Sequence, residues 1–499
     1  MTQLLHRVGD EGTIVYGAQR VLEGQVPYRD FVEMMGPGSF YWLALFFKLF
    51  GLGWQVTRLY LLLTGVATAL LVYSITRRFL RGAVSFLPAL FTVILGQPFW
   101  PACNHHWDSN LFALATILCF LKWQDRQRFA WQIAAGTLAG ITSCFIQQKG
   151  FFLLLAFMVA ILARPKIPGA RRTVGSEIGY VSAAYASVGA CVALLFYRAG
   201  ALSDLLYANF TWPLSGYEKM NQIPYGKGMA DLAIGPSSSL LNVLPAPCAL
   251  MIGLLCLLPF LLIAASPPLV IGSTAAAVWK SRVRGLPFCG PMMTLLLTGL
   301  ALWLSEIHRS DMIHLLFGAP VLLIALFVSA EHLFDRSRIK NVLLATITLG
   351  IVLLGFFKLA ECWPSYQMET RRGAVLDVTR DDALEFLNSA VAQREWVFVY
   401  PYYPMYYYLA DVRNPTRYSI LLYHYNTAEQ FDEVIRNLES RHVKYVLWDT
   451  FVDGANLRTW FPAYIQPPQD QLKLERYLRL AYDVVSIKNG FRILRRNRY

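Results

Sequence analysis

A chain of 499 residues with 56% hydrophobic and only 15% charged side chains, and a mean hydropathy of +0.40, is too apolar for a soluble multidomain protein and reads as a polytopic membrane protein. Its formal charge of +13 would suit nucleic acid, but there is no basic stripe with interleaved aromatics, and a basic excess is expected of cytoplasmic loops facing anionic lipid. The eight cysteines lie mostly inside apolar segments and never as Cys-x-x-Cys, which argues against a disulfide framework or a zinc site.

The stretch Gly9 to Gly38 sets two groups of acids against an otherwise apolar chain. Asp10 and Glu11 stand between Gly9 and Gly12; Ile14, Ala18, Val21 and Leu22 then share one helical face, which predicts a short amphipathic helix lying at a membrane interface and ended by Gly24. Asp10 is a candidate N-cap of a helix beginning near Gly12. Successive helical residues diverge by about 100°, so Asp10 and Glu11 cannot both face one cavity, and one of them is expected in solvent. Pro27, Tyr28, Arg29 and Asp30 make a polar turn, and Glu33 leads into the Gly36-Pro37-Gly38 corner.

About ten runs are long enough to cross ~30 Å of hydrocarbon: Val56 to Ile75, Val84 to Trp100, Trp107 to Leu121, Ala130 to Ile146, Phe151 to Ala163, Ile178 to Tyr197, Val243 to Ala264, Pro287 to Leu304, Met312 to Ala330 and Val342 to Ala360. The connections alternate in charge. Arg77, Arg78 and Arg81; Lys122, Arg126 and Arg128; Arg164, Lys166, Arg171 and Arg172; Lys280, Arg282 and Arg284; and Arg336, Arg338 and Lys340 mark the cytoplasmic side. The opposite connections, Ala102 to His106, Gln147 to Gly150 and Glu306 to Asp311, face outward with residues 1–55 and everything after Ala360. Within the sequence no apolar segment precedes that first stretch to carry it across, so either a further helix is expected upstream or the tail crosses unaided. Ser203 to Leu240 reads as a long outer loop or lid, and Leu269 to Trp279, after Pro267-Pro268, as a kinked or interfacial continuation.

Residues 361–499 have the composition of a soluble α/β domain facing the same outer side. Helices are expected over Asp381 to Ala392 and over Thr427 to Ser440, the second capped by Thr427; strands over Trp396 to Tyr400 and Val443 to Trp448; and a hairpin over Asp483 to Leu494 turning at Asn489-Gly490. The domains are therefore read as 1–55 first loop, 56–360 helical bundle and 361–499 α/β domain.

Ionisable groups at a membrane edge are costly and so are functional candidates. Glu306-Ile307-His308-Arg309-Ser310-Asp311-Met312-Ile313-His314 brings a guanidinium and imidazoles to one outward loop, which suits a lipid phosphate; a snorkelled Arg309 paired to Asp311 is the structural alternative. A metal site on His308, Asp311 and His314 is the weaker reading, since no further ligand set is evident. His105, His106 and Asp108 look like polar lining of the same vestibule, with Asp30. Lys149 is either a second phosphate contact or a snorkelled lysine, and the aromatic run Tyr400 to Tyr408 reads as packing of the α/β domain. No Walker or Gly-x-Gly-x-x-Gly sequence is present, which suits a lipid-linked donor; the sequence names no cofactor and leaves dependence on a divalent metal open.

The order Asp10-Glu11-Gly12, Tyr16, Ala18, Gly24, Pro27-Tyr28-Arg29-Asp30-Phe31, Pro37, Tyr41 and Leu49-Phe50-Gly51 resembles the first external loop of GT-C glycosyltransferases, in the branch of protein O-mannosyltransferases, lipid A aminoarabinose transferases and lipopolysaccharide-core galacturonosyltransferases. His308-Arg309-Ser310-Asp311 with His314 and Pro320 is similar to that branch's late loop, and Tyr407, Leu409 and Asn414-Pro415-Thr416-Arg417-Tyr418 to its periplasmic domain. The resemblance implies a GT-C-like bundle in the inner membrane, a polyprenyl-phosphate sugar donor, an extracytoplasmic acceptor (lipid, glycan or protein) and an acidic base in the first loop. That role lands on Asp10, with Glu11 and Glu33 as the other acids. The aminoarabinose transferases have Lys before the proline where this chain has Gly36, so the donor phosphate falls to Arg309 and His314, with Lys149 or Arg58. Two other classes stay open: a lipid-sugar or polysaccharide transporter, and a non-catalytic subunit of envelope assembly.

Overall fold

The computed structural model describes residues 9–164, 173–214, 223–283, 289–334, 338–449, 456–460, 463–465, 467–488 and 490–497. Lys166, Arg171, Arg172, Arg284, Arg336 and Asn489, all used above, lie outside them. The chain is mostly helical and each of the ten apolar runs falls on helix. In order these are α1 (Gly9–Leu22), α2 (Pro37–Phe50), α3 (Trp54–Thr76), α4 (Leu87–Leu95), α5 (His105–Arg126), α6 (Phe129–Ser143), α7 (Gln147–Leu162), α8 (Val174–Arg198), α9 (Leu202–Leu206), α10 (Met229–Ile234), α11 (Ala246–Ala264), α12 (Ser266–Val283), α13 (Cys289–Glu306), α14 (Met312–Gly318), α15 (Pro320–Leu333) and α16 (Arg338–Glu361).

Among the described residues, five helices are long and apolar enough to cross a membrane: Trp54–Thr76, Val174–Arg198, Ala246–Ala264, Gly290–Arg309 and Arg338–Glu361. The pair α14 and α15 makes a sixth, bent by 65° where Pro320 interrupts the hydrogen-bond ladder. The helix over Gly82–Leu95 stops short of Trp100, and Gln147–Leu162 is likewise shorter than a full span. Leu269 to Trp279 lies on α12, an 18-residue helix that follows α11 across the single residue Ala265 and packs along α15, with Pro267-Pro268 in its first turn, where proline costs no hydrogen bond. The chain is a multi-pass membrane protein.

The basic connections gather at one end of the bundle, where Arg78 meets Asp125, Arg164 meets Glu177 at 2.8 Å and Lys280 donates to the carbonyls of His332 and Leu333. At the other end sits the C-terminal domain. Its four-stranded sheet has the order β3-β4-β6-β5, built from β3 (Val397–Tyr400), β4 (Tyr445–Asp449), β5 (Tyr482–Lys488) and β6 (Phe491–Arg496), with β3 and β4 parallel and the other pairs antiparallel. Helices α17 (Asp382–Ala390), α18 (Met405–Leu409), α19 (Ala428–Ser440) and α20 (Lys473–Ala481) pack around it, and the hairpin of β1 (Tyr366–Thr370) and β2 (Gly373–Asp377) precedes it. Thr427 and Gln430 form a reciprocal capping box at the start of α19.

One apolar core joins the first loop to this domain: Ile14, Val15, Ala18, Phe31, Phe40 and Phe47 pack with Leu384, Val399, Tyr406, Tyr407, Leu409 and Ile493. Helix α1 is consequently buried on nearly every side, Thr13, Gln19 and Arg20 included, instead of lying in a membrane interface. The turn after β1 fixes the entry to α3, since Trp54 N donates to Arg372 O at 2.7 Å and Tyr408 Oη donates to Leu52 O at 3.1 Å.

Candidate functional site

Two polar clusters lie at the end of the bundle that carries the C-terminal domain. The first grows from α1. Asp10 lies inside this helix, which already runs from Gly9, so it is not the cap of a helix beginning near Gly12. It is partly exposed, and its Oδ1 accepts the hydroxyl of Tyr402. Glu11 diverges from it as the helical rotation requires, but into the interior: fully buried, it pairs with Arg58 and accepts Cys103 N at 2.9 Å. Arg58 also donates to Pro101 O at 2.9 Å and stacks over Trp54, 4.0 Å from the ring centre. Glu11 and Arg58 together therefore clamp the loop leading into α5.

Glu33 is brought beside Ser419 by a parallel bridge between Val32 and Tyr418, in which Val32 N donates to Arg417 O at 2.8 Å. Burial pushes the Glu33 carboxyl up to about 8; the Ser419 hydroxyl and the Arg20 guanidinium pull it down, and the Asp10 carboxylate adds to the rise. Glu33 and Asp10 thus feel each other, whereas Asp30 closes the preceding turn: it accepts Val26 N at 2.7 Å and pairs with Arg29 at 2.8 Å, the contact that chiefly lowers its carboxyl. The Asn414 to Tyr418 segment docks against α1, with Asn414 N donating to Tyr16 Oη at 3.1 Å and Tyr16 stacked on Tyr407 at 5.1 Å. Position 36 has no room for a side chain, because a Cβ there would meet Cys144 O at 2.3 Å.

The second cluster is a buried charge network across α5, α7 and α13. Lys149 Nζ lies 2.6 Å from Glu306 Oε1 and donates to Asn110 Oδ1 at 2.8 Å and Ser109 Oγ at 3.0 Å; His106 Nδ1 lies 3.0 Å from Glu306 Oε2. Lys149 is fully buried, so it does not snorkel to water. His106 stacks on Phe317 at 4.4 Å and meets the His314 ring at 5.0 Å, with His105 4.2 Å on its other side. His314 Nδ1 lies 2.8 Å from Asp311 Oδ1, and Arg309 Nε donates to Asp311 Oδ2 at 3.1 Å. Burial alone would raise the Asp311 carboxyl; His314 and Arg309 outweigh it and hold the group well below the usual carboxylate range. His308 lies 3.1 Å from Ser305 O, with its ring 6.4 Å from that of His314. Asp108 accepts the hydroxyl of Tyr60.

The long connection after α8 reaches both the C-terminal domain and the second cluster. Trp212 Nε1 donates to Tyr425 O at 3.2 Å, while Gly226 N donates to Ser310 O at 2.7 Å and Met312 N to Lys227 O at 2.9 Å. Among the described residues no group of three or more His, Cys, Asp or Glu is arranged to hold a metal ion. Sequence reasoning missed the parts played by Glu306, Ser419 and Tyr402. An acid on an apolar helix was the available signal for Glu306; the other two had none beyond their neighbourhood in an aromatic, polar-rich domain.

No family model and no curated protein sequence matches the chain. Solved structures do. The Archaeoglobus fulgidus oligosaccharyltransferase, in complex with Zn and sulfate, aligns over 91% of this chain and 66% of its own at 16% identity and a TM-score of 0.53. The same organism's AglB, in complex with an inhibitory peptide and a dolichol-phosphate, aligns over 92% and 68% at 13% identity and a TM-score of 0.52. ArnT from Cupriavidus metallidurans, bound to undecaprenyl phosphate, aligns over 99% and 94% at 12% identity and a TM-score of 0.52. The chain spans about two thirds of the archaeal enzymes and nearly the whole of ArnT. Its helical membrane bundle with a small C-terminal sheet domain has the GT-C fold of these membrane glycosyltransferases.

Proposed function

We propose that this protein transfers a sugar from a polyprenyl-phosphate donor to an acceptor hydroxyl on a lipid, glycan or protein outside the cytoplasm, from the inner membrane. The observation that carries the reading is Asp10: a partly exposed carboxylate, held by Tyr402, at the same end of a GT-C bundle as the loop that bears the Arg309 guanidinium with His308 and His314. The acceptor oxygen attacks the anomeric carbon as its proton passes to Asp10. The bond from that carbon to the phosphate oxygen breaks, and its electron pair leaves on the phosphate. A lipid phosphate is a good leaving group and needs cations more than a general acid, a task that suits Arg309 with His314. Glu11 and Glu33 are the other first-loop acids. Glu11, spent on Arg58, holds the wall of the site, as Lys149 does through Glu306; Glu33 is the carboxyl that senses the charge on Asp10.

Protein in nanodiscs, incubated with radiolabelled polyprenyl-phosphate sugars and extracted envelope acceptors, should transfer label to acceptor. Asp10→Asn should lower turnover by ~10² or more and retain donor binding. Wild-type turnover in Asp10→Asn would remove Asp10 from the base role. Movement of intact labelled donor across the membrane, with no transfer by the wild type, would replace the reading with transport.

A further inference from the structure

We infer that Tyr402 is the positioning residue of Asp10, so that the C-terminal domain completes the transfer site; the inference rests on Asp10 serving as the base. The Tyr402 hydroxyl donates to Asp10 Oδ1 from the far side of the chain, out of the turn between β3 and α18. That fixes one carboxylate oxygen and leaves Oδ2 to take the acceptor's proton. A base restrained to one orientation keeps the attacking hydroxyl in line, whereas a carboxylate free to rotate loses that alignment.

The backbone is shaped to bring these two groups together. A Cβ on Gly9 would lie 2.2 Å from Tyr402 Cζ, and one on Gly12 would lie 2.4 Å from Met405 N. The two glycines flanking Asp10 and Glu11 therefore let α1 close on residues 402–405 on both sides of the acids. The Tyr16 and Tyr407 stack and the Asn414 contact to Tyr16 hold the same two surfaces in register. Burial, with the Asp10 carboxylate alongside, keeps the Tyr402 phenol protonated, so it serves as a donor throughout.

Tyr402→Phe keeps the ring and removes the hydroxyl. In purified protein, kcat should fall roughly tenfold with donor KM and denaturation temperature near wild type, as expected for losing a hydrogen bond to a charged group. In an Asp10→Asn background the same substitution should change kcat by less than about twofold, because the group it acts through is gone. Wild-type kcat in Tyr402→Phe overturns the inference and leaves Asp10 as the base. An equal loss in both backgrounds also overturns it, since Tyr402 would then act on the fold and not on Asp10. Full activity in Asp10→Asn alone removes the base assignment and this inference together.

Discussion

Lys149→Met tests the buried charge network. The Lys149 ammonium has three acceptors within reach, Glu306 Oε1 at 2.6 Å, Asn110 Oδ1 at 2.8 Å and Ser109 Oγ at 3.0 Å, which match its three N–H groups. Methionine fills similar volume but leaves the fully buried Glu306 with His106 as its remaining partner in the network, at 3.0 Å. Breaking one side of a buried ion pair costs about 3–5 kcal/mol, because the surviving charge has no water to turn to. Removing both charges together, in Lys149→Met with Glu306→Gln, should recover a large part of that loss and give a coupling of about 2 kcal/mol or more. Unfolding in mixed micelles titrated with dodecyl sulfate, followed by tryptophan fluorescence, measures all three variants. A Lys149→Met protein within about 0.5 kcal/mol of wild type, or strictly additive single variants, would refute the buried pair.

Arg309→Ala should weaken binding of a polyprenyl phosphate by about 1.5–3 kcal/mol with unchanged stability, and Arg309→Lys should restore part of it; unchanged affinity in a titration calorimeter would take Arg309 out of the phosphate site. Glu33 has its carboxyl raised from 4.5 to about 8 in the folded protein, so the stability it confers is complete below pH 4.5 and is lost as pH rises to about 8. Glu33→Gln should flatten that window, and parallel stability curves for both proteins between pH 5 and 8 would contradict the burial of this acid. Cysteines placed at the exposed Thr427 and the half-buried Glu385 should label from outside the cell and those at Arg81 and Arg128 should not; the reverse pattern would invert the topology.

Local signals were legible. The capping residue at Thr427, the closing hairpin, the buried strands β3 and β4 and the apolar runs of the bundle all follow from residues near one another in sequence. The GT-C pattern was legible too, in the order of short motifs. Partners were not. Periodicity sets Lys149 and Glu306 on helix faces but does not say which helix brings the opposite charge. Likewise Ile14 and Ala18 repeat in the same way whether α1 lies on lipid or, as here, beneath a protein domain; the deciding contacts come from Tyr407 and Leu409, far along the chain. The Asn414 to Tyr418 motif carried the resemblance, and its residues turn out to be the ones that seat the domain on α1.

The shared core of first loop and C-terminal domain also dictates when the protein matures during synthesis. Ile14 and Phe31 wait for Tyr407, Leu409 and finally Ile493 on β6, so the segment bearing Asp10 has no finished seat until the last strand has been made. The bundle helices can enter the bilayer one after another, but the surface around the acid stays open until β6 has been translated and packs with the first loop. A ribosome-stalled chain lacking β6 would be an inserted membrane protein in which the seat of α1 beneath the C-terminal domain is still unformed.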